Sequence, residues 1–113
     1  MLPHKRIPKL LMDIESIIDE LEKIVHHHNR DFNDFSASFI SVRAVERDLM
    51  IIGEAVSQIR KLDKELPISS ADQIIGLRNL IVHAYDSIDP AALWRILIKD
   101  LPVLKEEVKT LKR

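Results

Sequence analysis

Hydrophobic residues recur along most of the chain at steps of three and four residues, a spacing typical of amphipathic helices. The first stretch with this pattern runs from about Ile7 to His28, and the second runs from about Ser38 to Leu62. In the second stretch the apolar positions keep a heptad-like spacing over about seven turns. Each stretch is therefore predicted to be a helix that buries one face and exposes the other.

Two shorter helical stretches follow, and each begins with a helix-start signal. The residues Ser70–Gln73 read as a capping box, which places the start of a third helix there and its end near Tyr85. Asp89 followed by Pro90 is an N-cap with proline at the first helical position, and it starts a fourth helix. Pro102 is expected to kink that helix, because proline removes one backbone donor.

Four helices with short connections predict an all-α fold, an antiparallel four-helix bundle with a kinked last helix. No repeat or shift in composition divides the chain, so residues 1–113 are predicted to form one domain. Gly53 lies in the middle of the second helix, where glycine costs up to ~1 kcal/mol relative to alanine. It marks either the close approach of another helix or a position where glycine is simply tolerated.

Composition and charge narrow the classes of function. Apolar residues make up 46% of the chain and charged residues 31%, which is a globular balance. Cysteine is absent, which excludes disulfides, thiolate catalysis and cysteine-based zinc sites. We see neither a signal peptide nor an apolar run of the ~20 residues that span a bilayer, so a cytoplasmic protein without a membrane partner is expected. Because the net charge is −1, any binding to nucleic acid requires a local basic site.

Side chains with useful chemistry concentrate near the end of the predicted third helix. A projection at about 100° per residue groups Arg78 with Tyr85, and it groups Asn79 with His83 and Asp86. The same projection assigns the core face of this helix to an apolar group, namely Ile74, Leu77, Leu80, Ile81 and Ala84.

Ile75 and Val82 project between the two polar groups, away from the predicted core. An outward apolar pair favours a partner, and packing about a two-fold axis would bring Arg78 of one chain near the partner's His83. The alternative is that Ile75 and Val82 contact another helix of the same chain. The projection does not favour either alternative.

A groove lined by two arginines and two histidines has the chemistry needed to cleave RNA. Two imidazoles that flank a phosphodiester can act as base and acid, since histidine titrates near neutral pH. A guanidinium can stabilise the extra negative charge on the reacting phosphoryl group. RNA supplies its own nucleophile, the 2′-hydroxyl, so neither a metal nor another cofactor is needed.

The residues from Arg78 to Tyr85 resemble the Arg-x4-His-x-Tyr signature of the HepT-like branch of the HEPN superfamily. The context is similar too. Arg43–Leu49 and Ile52–Ala55 resemble that family's second helix, and Leu93-Trp94 and Leu101-Pro102 resemble its last helix. The resemblance thus covers most of the chain and preserves the order and spacing of its parts.

The resemblance implies a metal-independent endoribonuclease toxin that acts as a homodimer, with Arg78 and His83 in catalysis and Asn79 in support. It also implies a partner antitoxin, a minimal nucleotidyltransferase that transfers AMP from ATP to Tyr85. Each AMP would place a bulky negative group where the RNA phosphate must sit. A second hypothesis is a non-catalytic helical partner that binds nucleotide or substrate for a nucleotidyltransferase through the same groove.

Other charged residues allow both a functional and a plainer interpretation. Glu46 and Glu54 lie eight positions apart and could form a carboxylate pair for acid–base work, and Asp86 is a further candidate for a supporting residue. Solvation, or pairing with Arg43, is the favoured interpretation for the two glutamates. For the run His26–His28, consecutive helical residues point about 100° apart, which favours a charge effect at a helix C-terminus over a metal site.

A basic row closes the chain and could touch the RNA backbone. The plainer interpretation is a solvated helix end whose charges compensate the helix dipole. The residues in this row are Lys105, Lys109, Lys112 and Arg113.

Overall fold

The computed structural model describes residues 6–69, 71–83 and 89–112, with the backbone alone at positions 82 and 83. Within these residues every regular element is helical, which confirms the all-α fold class. None of the described helices is both long enough and apolar enough to cross a membrane. In chain order, the elements are α1 (Arg6–His27), α2 (Phe32–Ser36), α3 (Phe39–Leu62), α4 (Ala71–His83), α5 (Pro90–Arg95), a π-helical turn (Ile96–Asp100) and α6 (Leu101–Leu111).

Contacts at the helix ends show that α1 and α3 run antiparallel. Arg6, at the start of α1, donates a hydrogen bond of 3.0 Å to Gln58 near the end of α3. His28, just after the end of α1, hydrogen-bonds at 2.7 Å with Ser41 at the start of α3. α4 in turn runs antiparallel to α3, because Arg60 at the end of α3 pairs with Asp72 at the start of α4.

Ion pairs attach α6 antiparallel to the exposed side of α1. Lys105 pairs with Glu22 at 2.9 Å, and Lys112, two helical turns later on α6, pairs with Glu15, two turns earlier on α1. Lys109 lies 3.6 Å from Glu106 on its own helix. These contacts complete the antiparallel four-helix bundle, and for Lys105 and Lys112 they favour a structural role over contact with RNA.

Among the described residues, the core of the bundle is one cluster of buried aliphatic side chains together with the ring of Phe35. The predicted apolar stripes of the two long helices face each other in this cluster, and full burial of such a side chain contributes about 1.5–3 kcal/mol. The largest fully buried side chains are Phe35, Leu11, Ile14, Ile18, Leu21, Leu49, Ile52, Ile59, Leu93, Leu104, Val45 and Val56.

The connector after α1 closes one end of the bundle. Phe35 packs on Trp94 with their ring centroids 5.2 Å apart, and Phe32 approaches the same indole at 6.0 Å. His28 is buried and bonds to Asp34 at 2.6 Å as well as to Ser41. The third histidine of the run is therefore a structural group that ties the connector to α3.

The last helical segment confirms its predicted start and shows how Pro102 is accommodated. The Asp89 side chain accepts a hydrogen bond from the backbone N–H of Ala91, with Pro90 at the first helical position. Ahead of Pro102 the helix widens into the π-helical turn, where the N–H of Leu101 donates to the carbonyl of Ile96. A wider turn relieves the clash between a proline ring and the carbonyl four residues earlier. The sequence predicted a kink at Pro102, and the structure accommodates this proline with the π-helical turn.

Candidate functional site

Gly53 is the point where α4 comes closest to α3. A Cβ atom built on Gly53 would lie 2.4 Å from the Cβ of Arg78 and 3.1 Å from the carbonyl oxygen of Ile74. Both of these atoms belong to or adjoin the backbone of α4, so neither can move away cheaply. The close approach inferred from the sequence is thus confirmed, and it sets Arg78 directly against α3.

We expect Gly53→Ala to lower the free energy of unfolding by about 1–3 kcal/mol, because the added methyl group forces the two helices apart. Gly76→Ala is the matched control on α4, since a Cβ there meets nothing within 4 Å. That change should raise stability by up to about 1 kcal/mol through helix propensity alone. Urea denaturation of both variants checks this pair, and stabilisation by Gly53→Ala would show that the contact is not tight.

The contact at Gly53 rotates α4 away from its predicted orientation. Ala71 and Ile74 are buried, Arg78 lies on the same side, and Leu80 is 54% exposed. The assignment of Leu80 to the core face is therefore wrong. A projection of α4 by itself does not contain the facing Gly53, which draws the edge of α4 that carries Arg78 inward.

The outward apolar pair also changes in the structure. Ile75 is partly buried and packs against the core of its own chain, which favours the same-chain alternative for this residue. The side chain of Val82 lies outside the described residues. Among the described side chains of α4, Leu80 is large, apolar and exposed, and it precedes His83 by three positions, so the two positions share one face of the helix.

The guanidinium of Arg78 is held by two neighbouring side chains. Its Nη2 lies 2.6 Å from Oε2 of Glu54 on α3, and its Nη1 donates to Oδ1 of Asn79 at 2.9 Å. Its Nε is buried and has no hydrogen-bond partner among the described residues. The side chains of Arg78 and Glu54 keep 31% and 49% of their exposure, so the pair is still open to solvent.

A groove beside this pair runs between α1 and α3, with a volume of about 340 Å³. Arg78 and Glu54 stand at its edge, and most of its other walls are apolar. The remaining lining residues are Leu10, Asp13, Met50, Ile51, Ala55 and Gln58. A cationic fork beside an apolar groove can hold a phosphate while the groove receives the group attached to it.

Glu46 does not join Glu54 in this site. Glu46 is buried and accepts a hydrogen bond of 2.8 Å from Arg43, as the plainer interpretation predicted. Eight positions along one helix separate the two carboxylates by about 12 Å of helix axis. They therefore have separate partners and do not form an acid–base pair.

Several predicted residues lie wholly or partly outside the described residues. The backbone of His83 is the last described position of α4, and its side chain is outside the description. Tyr85 and Asp86 lie entirely outside it, as do Ala84, Arg113 and Ser70 of the capping box. The roles assigned to them remain predictions. Within the part of the chain that is described, no group of three or more His, Asp or Glu residues could hold a metal ion.

Sequence reasoning missed the buried carboxyl group of Asp48. Asp48 is fully buried, and neither of its carboxyl oxygens has a hydrogen-bond partner among the described residues. Burial, reinforced by the adjoining carboxyl of Glu20, raises the pKa of Asp48 to about 7, although Arg47 opposes the shift. The available signal was its position on the buried side of α3, next to Leu49.

A small all-α bundle whose fourth helix carries the Arg-x4-His pattern fits the HEPN class of helical domains. The chain belongs to the HepT-like ribonuclease family, whose model matches residues 14–111. This match confirms the family inferred from residues 78–85 and their context.

Individual relatives agree with this assignment. A protein of Methanocaldococcus jannaschii, provisionally named an RNase, is 39% identical over 80 residues, which cover 70% of this chain and 73% of the relative. A protein with the same provisional name from Caldanaerobacter subterraneus subsp. tengcongensis is 29% identical over 108 residues, covering 95% and 91%. A protein of Thermococcus cleftensis, provisionally named ribonuclease HepT, is 30% identical over 106 residues, covering 88% and 93%. No solved structure matches the chain.

Proposed function

We propose that this protein is a metal-independent endoribonuclease toxin of a toxin–antitoxin pair, which cleaves cytoplasmic RNA through Arg78 and His83. The observation that carries the proposal is the guanidinium of Arg78, held by Glu54 and Asn79 at the edge of the groove. Membership in a ribonuclease family supports RNA as the substrate.

The reaction requires a base, an acid and a group that stabilises charge. One imidazole removes the proton from the 2′-hydroxyl, and the 2′-oxygen attacks the adjacent phosphorus. The bond to the 5′-oxygen breaks, and a second imidazole gives that oxygen a proton. The products are a 2′,3′-cyclic phosphate and a 5′-hydroxyl end, and the RNA itself has supplied the nucleophile.

Arg78 stabilises the negative charge that builds up on the phosphoryl oxygens in this reaction. A half-exposed ion pair such as Arg78–Glu54 contributes only about 0.2–1 kcal/mol, so an incoming phosphate can displace the carboxylate. Asn79 keeps its hydrogen bond to Nη1 and holds the guanidinium in place. Glu54 is therefore a positioning residue that neutralises Arg78 before RNA binds.

Two imidazoles require two chains, because each chain carries one histidine in this segment. We place the seam of the homodimer at Leu80, whose exposed side chain shares a helix face with the position of His83. This placement replaces Ile75, which packs within its own chain. Light scattering should give the mass of two chains for the wild type, and a monomer at micromolar concentration would contradict the seam.

Cleavage in the presence of EDTA is the direct test of the proposal. Purified protein should cut RNA with an unchanged rate after chelation, because the nucleophile needs no metal ion. Mass spectrometry of the fragments should show 2′,3′-cyclic phosphate ends. A rate lost in EDTA and restored by a divalent ion would contradict the mechanism. The absence of any cleavage would favour the non-catalytic partner of a nucleotidyltransferase.

Control of the toxin is proposed to act through Tyr85, two positions after His83. A nucleotidyltransferase antitoxin supplied with ATP should raise the mass of the protein by one or more AMP units and stop cleavage. The added phosphodiester would compete with RNA for Arg78. Tyr85→Phe should abolish the mass increase and leave cleavage intact, whereas a mass increase that persists would assign the modification to another residue.

A further inference from the structure

The outward side of α3 carries four exposed side chains in a row, which we call the α3 outer face: Phe39, Ile40, Arg43 and Arg47. Phe39 is 74% exposed and Ile40 is 71% exposed. The side chains of Arg43 and Arg47 are 59% and 69% exposed. At about 100° per residue the four positions fall within one sector of about 100°, opposite the buried stripe of the helix.

This face continues directly into the candidate active site. Glu54, which pairs with Arg78, lies in the same sector of α3 as Arg43 and Arg47. Met50 and Ile51 lie between them and line the groove beside Arg78. From Phe39 to Glu54 the helix rises about 22 Å, so the face forms an extended surface that ends at the arginine.

The charge on the α3 outer face is incompletely compensated within the chain. Arg43 donates to the buried Glu46 at 2.8 Å. The carboxylate nearest to Arg47 among the described residues is that of Asp48, at 3.7 Å, which is too long for a hydrogen bond. Arg47 therefore keeps donors for an external anion, and this local positive charge stands out in a chain whose net charge is −1.

We propose that the α3 outer face binds the RNA strand adjoining the cleaved bond, with Arg43 and Arg47 contacting phosphates and Phe39 stacking on a base. This inference rests on the proposed ribonuclease function and names the surface that holds the substrate. Cationic side chains interleaved with an exposed aromatic ring are what proteins use to hold unpaired RNA. A second copy of the chain fits less well, because a two-fold axis across this face would bring its arginines together.

The spacing of the residues predicts a dependence on RNA length. Arg47 lies seven positions from Glu54, or about 10 Å along the helix, which is about three stacked nucleotides at 3.4 Å each. A dinucleotide would reach Arg78 and leave Arg47 empty. The whole face, about 22 Å long, corresponds to about seven stacked nucleotides, so a strand of about ten nucleotides is long enough to cover it.

The test compares kcat/KM for a diribonucleotide and for an oligoribonucleotide of about ten nucleotides. Phe39→Ala should lower kcat/KM on the long substrate by roughly 5- to 150-fold, the range for loss of one stacked base, and Phe39→Trp should restore it. Arg47→Gln should reduce the slope of log KM against log salt concentration by about 0.7, the value for one single-strand phosphate contact. Neither change should affect cleavage of the dinucleotide.

Arg95→Gln is the matched control, because it removes an equal charge from an exposed position on α5. It should leave both substrates and the salt slope unchanged. The proposed RNA surface would be overturned if the variants lost kcat/KM equally on the two substrates or lost none on the long one. It would also be overturned if Arg95→Gln had the same effect as Arg47→Gln. Conversion of Phe39→Ala to a monomer in light scattering would assign the face to contact between copies instead. Failure of the wild type to cleave either substrate would overturn the proposed function itself.

Discussion

His83→Ala is expected to abolish RNA cleavage. Loss of one acid–base group usually costs about 10²- to 10⁴-fold in rate. In the proposed homodimer one substitution removes both imidazoles, so the loss should exceed that range. The measurement is a single-turnover rate on RNA with enzyme in excess, so that weaker binding does not mimic slower chemistry.

Two companion variants sharpen this experiment. His27→Ala removes an exposed histidine from the end of α1 and should leave the rate unchanged. Arg78→Lys should also lower the rate below that of the wild type, since an ammonium group cannot replace the planar guanidinium that binds phosphate. If His83→Ala retained a tenth or more of the wild-type rate, as judged against the ~10²-fold minimum for such a group, His83 would not be the general acid or base.

Asp48→Asn is expected to make the protein much less sensitive to pH. The pKa of Asp48 is raised from 3.8 to about 7 by burial and by Glu20, so the folded state holds an extra proton between those values. The free energy of unfolding of the wild type should therefore fall as pH rises from about 4 to 7 and then level off. Three pK units correspond to about 4 kcal/mol.

Urea denaturation at several pH values tests this prediction. The asparagine variant cannot ionise, so its stability should stay nearly flat across the window and exceed that of the wild type above neutral pH. Near pH 4 the two proteins should differ little, because the wild-type carboxyl is already protonated there. Asp19→Asn, an exposed position on α1, provides the control and should preserve the wild-type slope. Equal slopes in Asp48→Asn and the wild type would show that this carboxyl does not govern stability.

The sequence allowed the long helices to be predicted, because their periodicity extends over many turns. α3 begins with the cap at Ser38 and ends at Leu62, as its pattern indicated. The five-residue helix at Phe32–Ser36 and the π-helical turn were missed as such, since elements this short show no periodicity. The predicted orientation of α4 is wrong at Leu80 for a different reason, because Gly53, which determines that orientation, lies on another helix.

The candidate site was predictable only in part. Arg78 and Asn79 are neighbours in sequence, so their association followed from the motif itself. The contact between Arg78 and Glu54 depends on the packing of two helices at Gly53, and no projection of one helix contains it. In the same way, the position of Asp48 along α3 indicates its burial, but the carboxyl of Glu20 that reinforces its pKa shift comes from α1 and is not visible along α3 alone.

The π-helical turn determines which side of α6 faces the rest of the molecule. It contains one residue more than a regular turn needs, so every later position is rotated by about 100° relative to an uninterrupted helix. Lys105 and Lys112 reach Glu22 and Glu15 in that rotated setting. Deleting a single residue from Ile96–Asp100 would restore a regular helix and swing both lysines away from α1. The turn thus sets the orientation of α6 independently of α5, so that each of the two segments can turn its apolar side toward a different neighbouring helix.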